Sequence, residues 1–210
     1  MSHTHDHEHA QPRPDLDDTM TYYRVMEEAV RSLLIEKGIV TADEVRREVE
    51  NMDARTPANG AQVVARAWVD SDFRSRLVAN PKQAIGEIGH DIGPMHLVVL
   101  ENTPGVHNVV VCTLCSCYPR WLLGRPPDWY KSRAYRSRVV REPRAVLREF
   151  GTEIADDREV RVHDSTADMR YLVLPMRPDG TDGLSQAELA ALVGRDSMIG
   201  VTEVVPPLRV

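Results

Sequence analysis

All three cysteines of this 210-residue chain fall within six consecutive positions, in the stretch VVVCTLCSC from Val109 to Cys117. Cys112, Cys115 and Cys117 have C-x-x-C-x-C spacing. Thiolates are soft ligands that select zinc, copper(I) or iron–sulfur centres, and some stabilise oxidised cobalt or iron. Three thiols this close cannot staple distant segments, so metal or redox chemistry is the live reading. A structural zinc site needs four ligands, usually from two C-x-x-C pairs, and there is no second pair. His107 could be a fourth donor, but it lies on the strand before the cluster, where alternation makes a fold-back hard. A [4Fe–4S] cluster also needs four cysteines. A thioredoxin-like dithiol would use Cys112 and Cys115 and leave Cys117 unexplained.

The donors can be counted differently. Cys115-Ser116-Cys117 offers two sulfurs and the backbone nitrogens of Ser116 and Cys117. If both amides lose their protons, these four atoms close a square plane through five- and six-membered chelate rings. Cys112 then supplies a sulfur from below. One octahedral position stays open, as a catalytic metal requires. Anionic amide donors suit a small trivalent ion. The spacing allows this chelate, and composition leaves zinc with a borrowed ligand open beside it.

The surrounding pattern says what must hold the cluster. Residues 1–15 carry four alternating histidines, His3, His5, His7 and His9, and no apolar periodicity, so a disordered leader is expected. Residues 16–60 read as a helical arm. Apolar residues at helical spacing end at Gly38, and Thr41 with Glu44 forms a capping box for a second helix. DARTPANG breaks these helices. AQVVARAWVDSDFRSRLVANPKQAIGEIG reads as two more, split at Asn80-Pro81 and ended by Gly89. HLVVLEN and HNVVVC are strands around TPG. YPRWLLGRPPDWYKS is a Pro/Gly-rich loop, EPRAVLREFG a short helix, EVRVHD and RYLVLP strands, and SQAELAALVGRD a helix capped by Ser185 with Glu188. The expected fold class is α+β: the helical arm, then a layered α-β-β-α C-terminal domain over 61–210 that carries the metal.

Charge and composition narrow the function. The net charge of −6 comes from the first 60 residues, with 13 acidic against 7 basic side chains. Between Arg120 and Arg148 nine Lys/Arg face only Asp128 and Glu142. No nucleic-acid motif accompanies that basic run, so a solvated or subunit-facing surface is expected and no nucleic-acid partner. No apolar run spans a membrane and no signal-peptide order opens the chain, so the expected location is cytoplasmic. HDS, His163 to Ser165, offers a Ser/His/Asp set only on paper, because neighbours on a strand face opposite sides.

The cluster resembles the metal claw of nitrile hydratase α subunits. AWVDSDFRSRLVANPKQAIGEIG, ENTPGVHNVVVCTLCSC, LGRPPDWYKSRAYRSRVVREPRAVLREFG, DSTADMRYLVLPMRP and ELAALVGRDSMIGV are similar to family segments and keep the family order. The resemblance implies that the sulfurs of Cys112, Cys115 and Cys117 and the amides of Ser116 and Cys117 bind the metal. Thr113 after the first cysteine is the mark of cobalt members, which implies Co(III), one per α subunit. Cys115 is then the position of a sulfinic acid and Cys117 of a sulfenic acid, consistent with attack of oxygen on accessible thiolate. Arg170 matches an α-subunit arginine near the site. The implied partners are a β-type subunit, which supplies half of the pocket, and a metal-loading activator protein. The implied reaction is hydration of a small-molecule nitrile to an amide. Cobalt acts as a Lewis acid, or the Cys117 sulfenate as a nucleophile.

One departure stands out. The family usually has Tyr-Pro-Trp-Pro after the last cysteine, and here the stretch is YPRW, with Arg120 and Trp121 at the pocket-lining positions. A bulky or polar nitrile is expected, such as a nucleoside nitrile of the toyocamycin type. The alternatives are a thiocyanate hydrolase γ subunit, which shares VCTLCSC, and, in a different class, a structural zinc-binding module.

Overall fold

The computed structural model describes residues 21–115 and 117–206. The leader, Ser116 and residues 207–210 lie outside the described residues. The chain divides into two compact units, one ending at Val49 and one beginning at Glu50.

In the first unit, α1 (Tyr22–Glu36) is closed by Gly38, whose φ of +66° suits a residue without a Cβ. α2 (Ala42–Asp53) opens on the expected capping box: Glu44 N donates to Thr41 Oγ1 at 3.2 Å, and Thr41 N donates to Glu44 Oε2 at 2.7 Å. Neither helix has a buried residue.

The second unit begins within α2. The expected pair of helices after residue 60 is a set of three, α3 (Pro57–Val69), α4 (Ser71–Ala79) and α5 (Pro81–Glu87). The additional break is at Asp70. Its extended backbone ends α3, and its carboxylate accepts from Phe73 N at 2.8 Å to cap α4. Then come β1 (His96–Glu101) and β2 (Val106–Val111). The Pro/Gly-rich stretch contains two single-turn helices, α6 (Arg120–Leu123) and α7 (Asp128–Lys131), each following a proline. α8 (Arg133–Arg138), α9 (Pro143–Glu149), β3 (Glu159–Asp164), β4 (Met169–Leu174), α10 (Gln186–Leu192) and α11 (Arg195–Ile199) complete the unit.

The class is α+β, as expected. The strands form two parallel pairs, β1 with β4 and β2 with β3. Consecutive strands β1 and β2 therefore belong to different pairs, although only four residues separate them. The Asn102 side chain holds this corner by accepting from Asn108 N at 2.8 Å. α4 and α5 pack on β1, β4 lies against β2, and α9 packs on β3, which gives the α-β-β-α layering.

β2 is buried from His107 to Val111, as a strand covered on both faces must be. It belongs to a largely aliphatic core that includes Val63, Val64, Leu77, Ile85, Leu122, Leu147 and Leu172. His107 Nε2 donates to Gly200 O at 2.8 Å, so Nδ1 is left as an acceptor facing Asn102 Nδ2 at 3.4 Å. Burial lowers the pKa of this histidine, consistent with a neutral ring. Both ring nitrogens are thus engaged away from the cysteines.

Gly200 ends α11 with φ +86°, and a Cβ there would run into Asn108 O of β2. Gly200→Ala should therefore lose about 2 kcal/mol or more, read as a lower Tm in thermal unfolding.

Candidate metal centre

β2 runs straight into the cysteine loop. Its pairing with β3 sets Val111 opposite Asp164, so the carboxylate of Asp164 stands beside the first residues of the loop. Asp164 Oδ1 accepts from Thr113 N at 2.9 Å, and Oδ2 accepts from Thr113 Oγ1 at 2.5 Å. Arg136 of α8 donates to Thr113 O at 3.3 Å. At the far end of the loop, Tyr130 Oη of α7 donates to Cys117 O at 2.8 Å.

Held this way, the three sulfurs converge within 4.8 Å of one another. Cys112 is buried, Cys117 half-buried and Cys115 exposed. Cys115 Sγ lies 3.3 Å from Cys117 Sγ and 3.5 Å from Cys112 Sγ. With a metal–sulfur bond of about 2.3 Å, sulfurs at a right angle stand about 3.3 Å apart and tetrahedral ones about 3.8 Å apart. The Cys115–Cys117 pair has the right-angle spacing and the Cys112–Cys115 pair lies between the two. Both spacings are compatible with two sulfurs sharing one metal ion. Burial pushes the Cys117 thiol up to about 12, the other two sulfurs add to the rise, and Arg170 opposes it. A cation replaces those protons and removes the repulsion among thiolates.

Cys115 and Cys117 open into a cleft of about 320 Å³ lined also by Tyr118, Arg120, Trp121, Pro126 and Arg170. The structure thus brings Arg120, Trp121 and Arg170 to the sulfurs. Arg170 Nη1 donates to the carbonyls of Thr166 and Met169, which fixes the guanidinium at the base of β4. Trp121 packs on Gly93, where a Cβ would strike the indole, and the Arg55 guanidinium lies 5.4 Å from its ring. Arg120 is exposed and lies on the short helix directly after Pro119.

Other sequence features resolve as structure. His163 Nε2 meets Asn108 Oδ1 at 2.9 Å, Asp164 serves Thr113 and Ser165 is buried, so HDS is no triad. Much of the basic run is paired internally: Arg138 binds Glu142 and Glu149, Arg125 binds Asp53, and Arg144 binds the carbonyls of Ile154 and Arg158. Sequence reasoning did not single out Tyr130 or Arg136, and it met Asp164 only within HDS, not as a support of the cysteine loop. Their contacts depend on strand register and on the α7–α8 turn, which have no local motif. Among the described residues no helix is long and apolar enough to cross a membrane.

Comparison with known proteins gives the class. The pattern of the family described as "Nitrile hydratase, alpha chain" matches residues 21–202. The chain belongs to the nitrile hydratase α-chain family. A cobalt-containing nitrile hydratase subunit alpha of Pseudonocardia thermophila is 51% identical over 178 residues, covering 82% of this chain and 86% of that one. A thiocyanate hydrolase subunit gamma of Thiobacillus thioparus is 38% identical over 211 residues, covering 95% of this chain and 86% of that one. Among solved structures, a double mutant of the Fe-type nitrile hydratase of Comamonas testosteroni Ni1 superposes with a TM-score of 0.80 at 40% identity, covering 90% of this chain and 98% of that one.

The exposure gradient predicts an order of reaction. In the metal-free protein near neutral pH, iodoacetamide should modify Cys115 first and Cys117 more slowly, because its thiol is held protonated. Cys112 should come last. Peptide mass spectrometry of timed samples reads the order, and labelling of Cys112 as fast as Cys115 would contradict it.

Proposed function

We propose that the chain is the metal-bearing α subunit of a cobalt nitrile hydratase, a hydro-lyase that adds water to a nitrile and yields an amide. The observation that carries the reading is the convergence of three thiols at the mouth of an open cleft. The ligands are the sulfurs of Cys112, Cys115 and Cys117 and the backbone amides of Ser116 and Cys117. Thr113 and the cobalt-containing relative support Co(III), one ion per α subunit. Bound there, the ion supplies Lewis acidity next to an open coordination position. Water's oxygen goes to the nitrile carbon, and its two protons end on nitrogen.

The chain's own residues set the conditions. Cys115 and Cys117 are the sites of sulfinic and sulfenic acid, and because Cys117 lines the cleft, a sulfenate oxygen there would be a candidate nucleophile. Arg170 adds positive charge near Cys117, where an oxidised sulfur is anionic. Arg120 and Trp121 form the substrate wall and favour a bulky or polar nitrile, of which a nucleoside nitrile is one example. The arm over 16–60 and the open side of the cleft await a β-type subunit, without which the chain is inactive. A metal-loading activator protein and a cytoplasmic location complete the reading. A histidine-rich leader over 1–15 and a catalytic domain over 61–210 are its domain plan.

A second reading has its own support. Arg120 in the cleft also suits an anion, and the thiocyanate hydrolase relative covers most of the chain. Purified with its partner subunit, the protein should turn over a heteroaromatic nitrile and leave thiocyanate untouched. The reverse result selects the second reading. One cobalt per chain, with two extra oxygens on Cys115 and one on Cys117 by peptide mass spectrometry, is expected for the metal. One zinc with unmodified thiols sinks both readings in favour of a structural zinc module.

Arg120 offers a separate test. Arg120→Trp should shift kcat/KM towards small aliphatic nitriles by about tenfold or more relative to bulky polar ones. An unchanged ratio means that Arg120 does not contact substrate.

A further inference from the structure

Among the described residues, three side chains outside the cluster hydrogen-bond to its main chain. Asp164 and Arg136 hold Thr113 at the entry of the loop. Tyr130 alone among them holds Cys117, the residue that is read above as a ligand through both its sulfur and its amide nitrogen.

The Tyr130 ring is fully buried. It meets Tyr118 edge-on at 5.3 Å and Trp129 at 5.9 Å between centroids. Its position is therefore set by packing, on the α7–α8 side by Trp129 and Tyr135. A carbonyl oxygen can only accept, so the phenol is the donor of this hydrogen bond. The donor is aimed at Cys117 O at 2.8 Å. Fixing that carbonyl fixes the rotation of residue 117 about its Cα–C bond. Tyr118, the next residue, is itself buried and closes off the other way for the chain to turn. The nitrogen and Cβ of Cys117 are then presented in one orientation before a metal arrives, and the sulfur needs only the rotation about Cα–Cβ. Ordering a free backbone residue opposes binding, and this hydrogen bond has already done the ordering.

We propose that Tyr130 is a positioning residue for the metal centre, and that its hydrogen bond to Cys117 O pre-sets Cys117 for chelation. The proposal rests on the reading of Cys117 as a double ligand.

The test uses cobalt-loaded protein purified with its partner subunit, as wild type, Tyr130→Phe and Tyr135→Phe. Tyr130→Phe keeps the ring and loses the donor. Its sulfur-to-cobalt charge-transfer band should shift, and EDTA should strip its cobalt about 10- to 100-fold faster than from wild type. Failure of this variant to retain any cobalt while remaining folded is the same result in its extreme form. Tyr135→Phe removes a comparable buried hydrogen bond, to Val110 O at 2.7 Å, in the strand before the loop. It should lower Tm and leave the band and the release rate as in wild type. If Tyr130→Phe is indistinguishable from Tyr135→Phe in band and release, the proposal is overturned and the chelate reading stands. A wild-type protein that holds cobalt without a sulfur-to-cobalt band overturns the chelate reading and the proposal together.

Discussion

The register between β2 and β3 is the constraint on which the site depends. Val111 stands opposite Asp164, and the chain leaves β2 one residue later as Cys112. A slip of one residue would turn Asp164 to the other face, because side chains alternate along a strand. The loop would lose the carboxylate that takes both the amide and the hydroxyl of Thr113. The register is in turn held by burial: β2 has five successive buried residues, and His107 ties it to the chain after α11 through Gly200 O. A core contact some distance from the sulfurs thereby fixes where the sulfurs begin.

The second support comes from chain that sequence patterning treats as irregular. Prolines and glycines over 119–127 suppress long helices, yet each of the short helices α6, α7 and α8 delivers at least one residue to the cluster or its cleft. α6 brings Arg120 and Trp121 to the cleft, α7 brings Tyr130 to Cys117 O, and α8 brings Arg136 to Thr113 O. The few aromatics of this chain gather here: Tyr118, Trp129, Tyr130 and Tyr135 contact one another edge-on or tilted. Elsewhere the core is mostly aliphatic. Large rigid rings suit the place where short segments must be held without the internal bonding of a long helix.

What could be read from the letters followed from locality. The sulfur set was legible because its donors lie within six residues. The capping boxes at Thr41 and Ser185 were legible because both partners lie three residues apart. The break at Asp70 was missed because an Asp inside an apolar periodicity also reads as a solvent-facing helical position, and only its bond to Phe73 N shows the cap. Strand partners were illegible: the short connection between β1 and β2 suggests adjacency, whereas each strand pairs with one more than 50 residues later. Asp164, Tyr130 and Arg136 reach the loop only through that topology, so no spacing rule could name them.

The cleft has a division of labour between its floor and its wall. The sulfurs hang from a buried strand, and apart from the Thr113 hydroxyl their supports enter through backbone atoms that any side chain at those positions would also offer. Arg120, by contrast, is exposed on a four-residue turn, beyond the core. On the proposed reading, changes at that position would alter what the cleft accepts and leave the sulfur cradle undisturbed. In evolutionary terms the site is modular: the reacting centre can be inherited intact while its selectivity drifts one wall residue at a time.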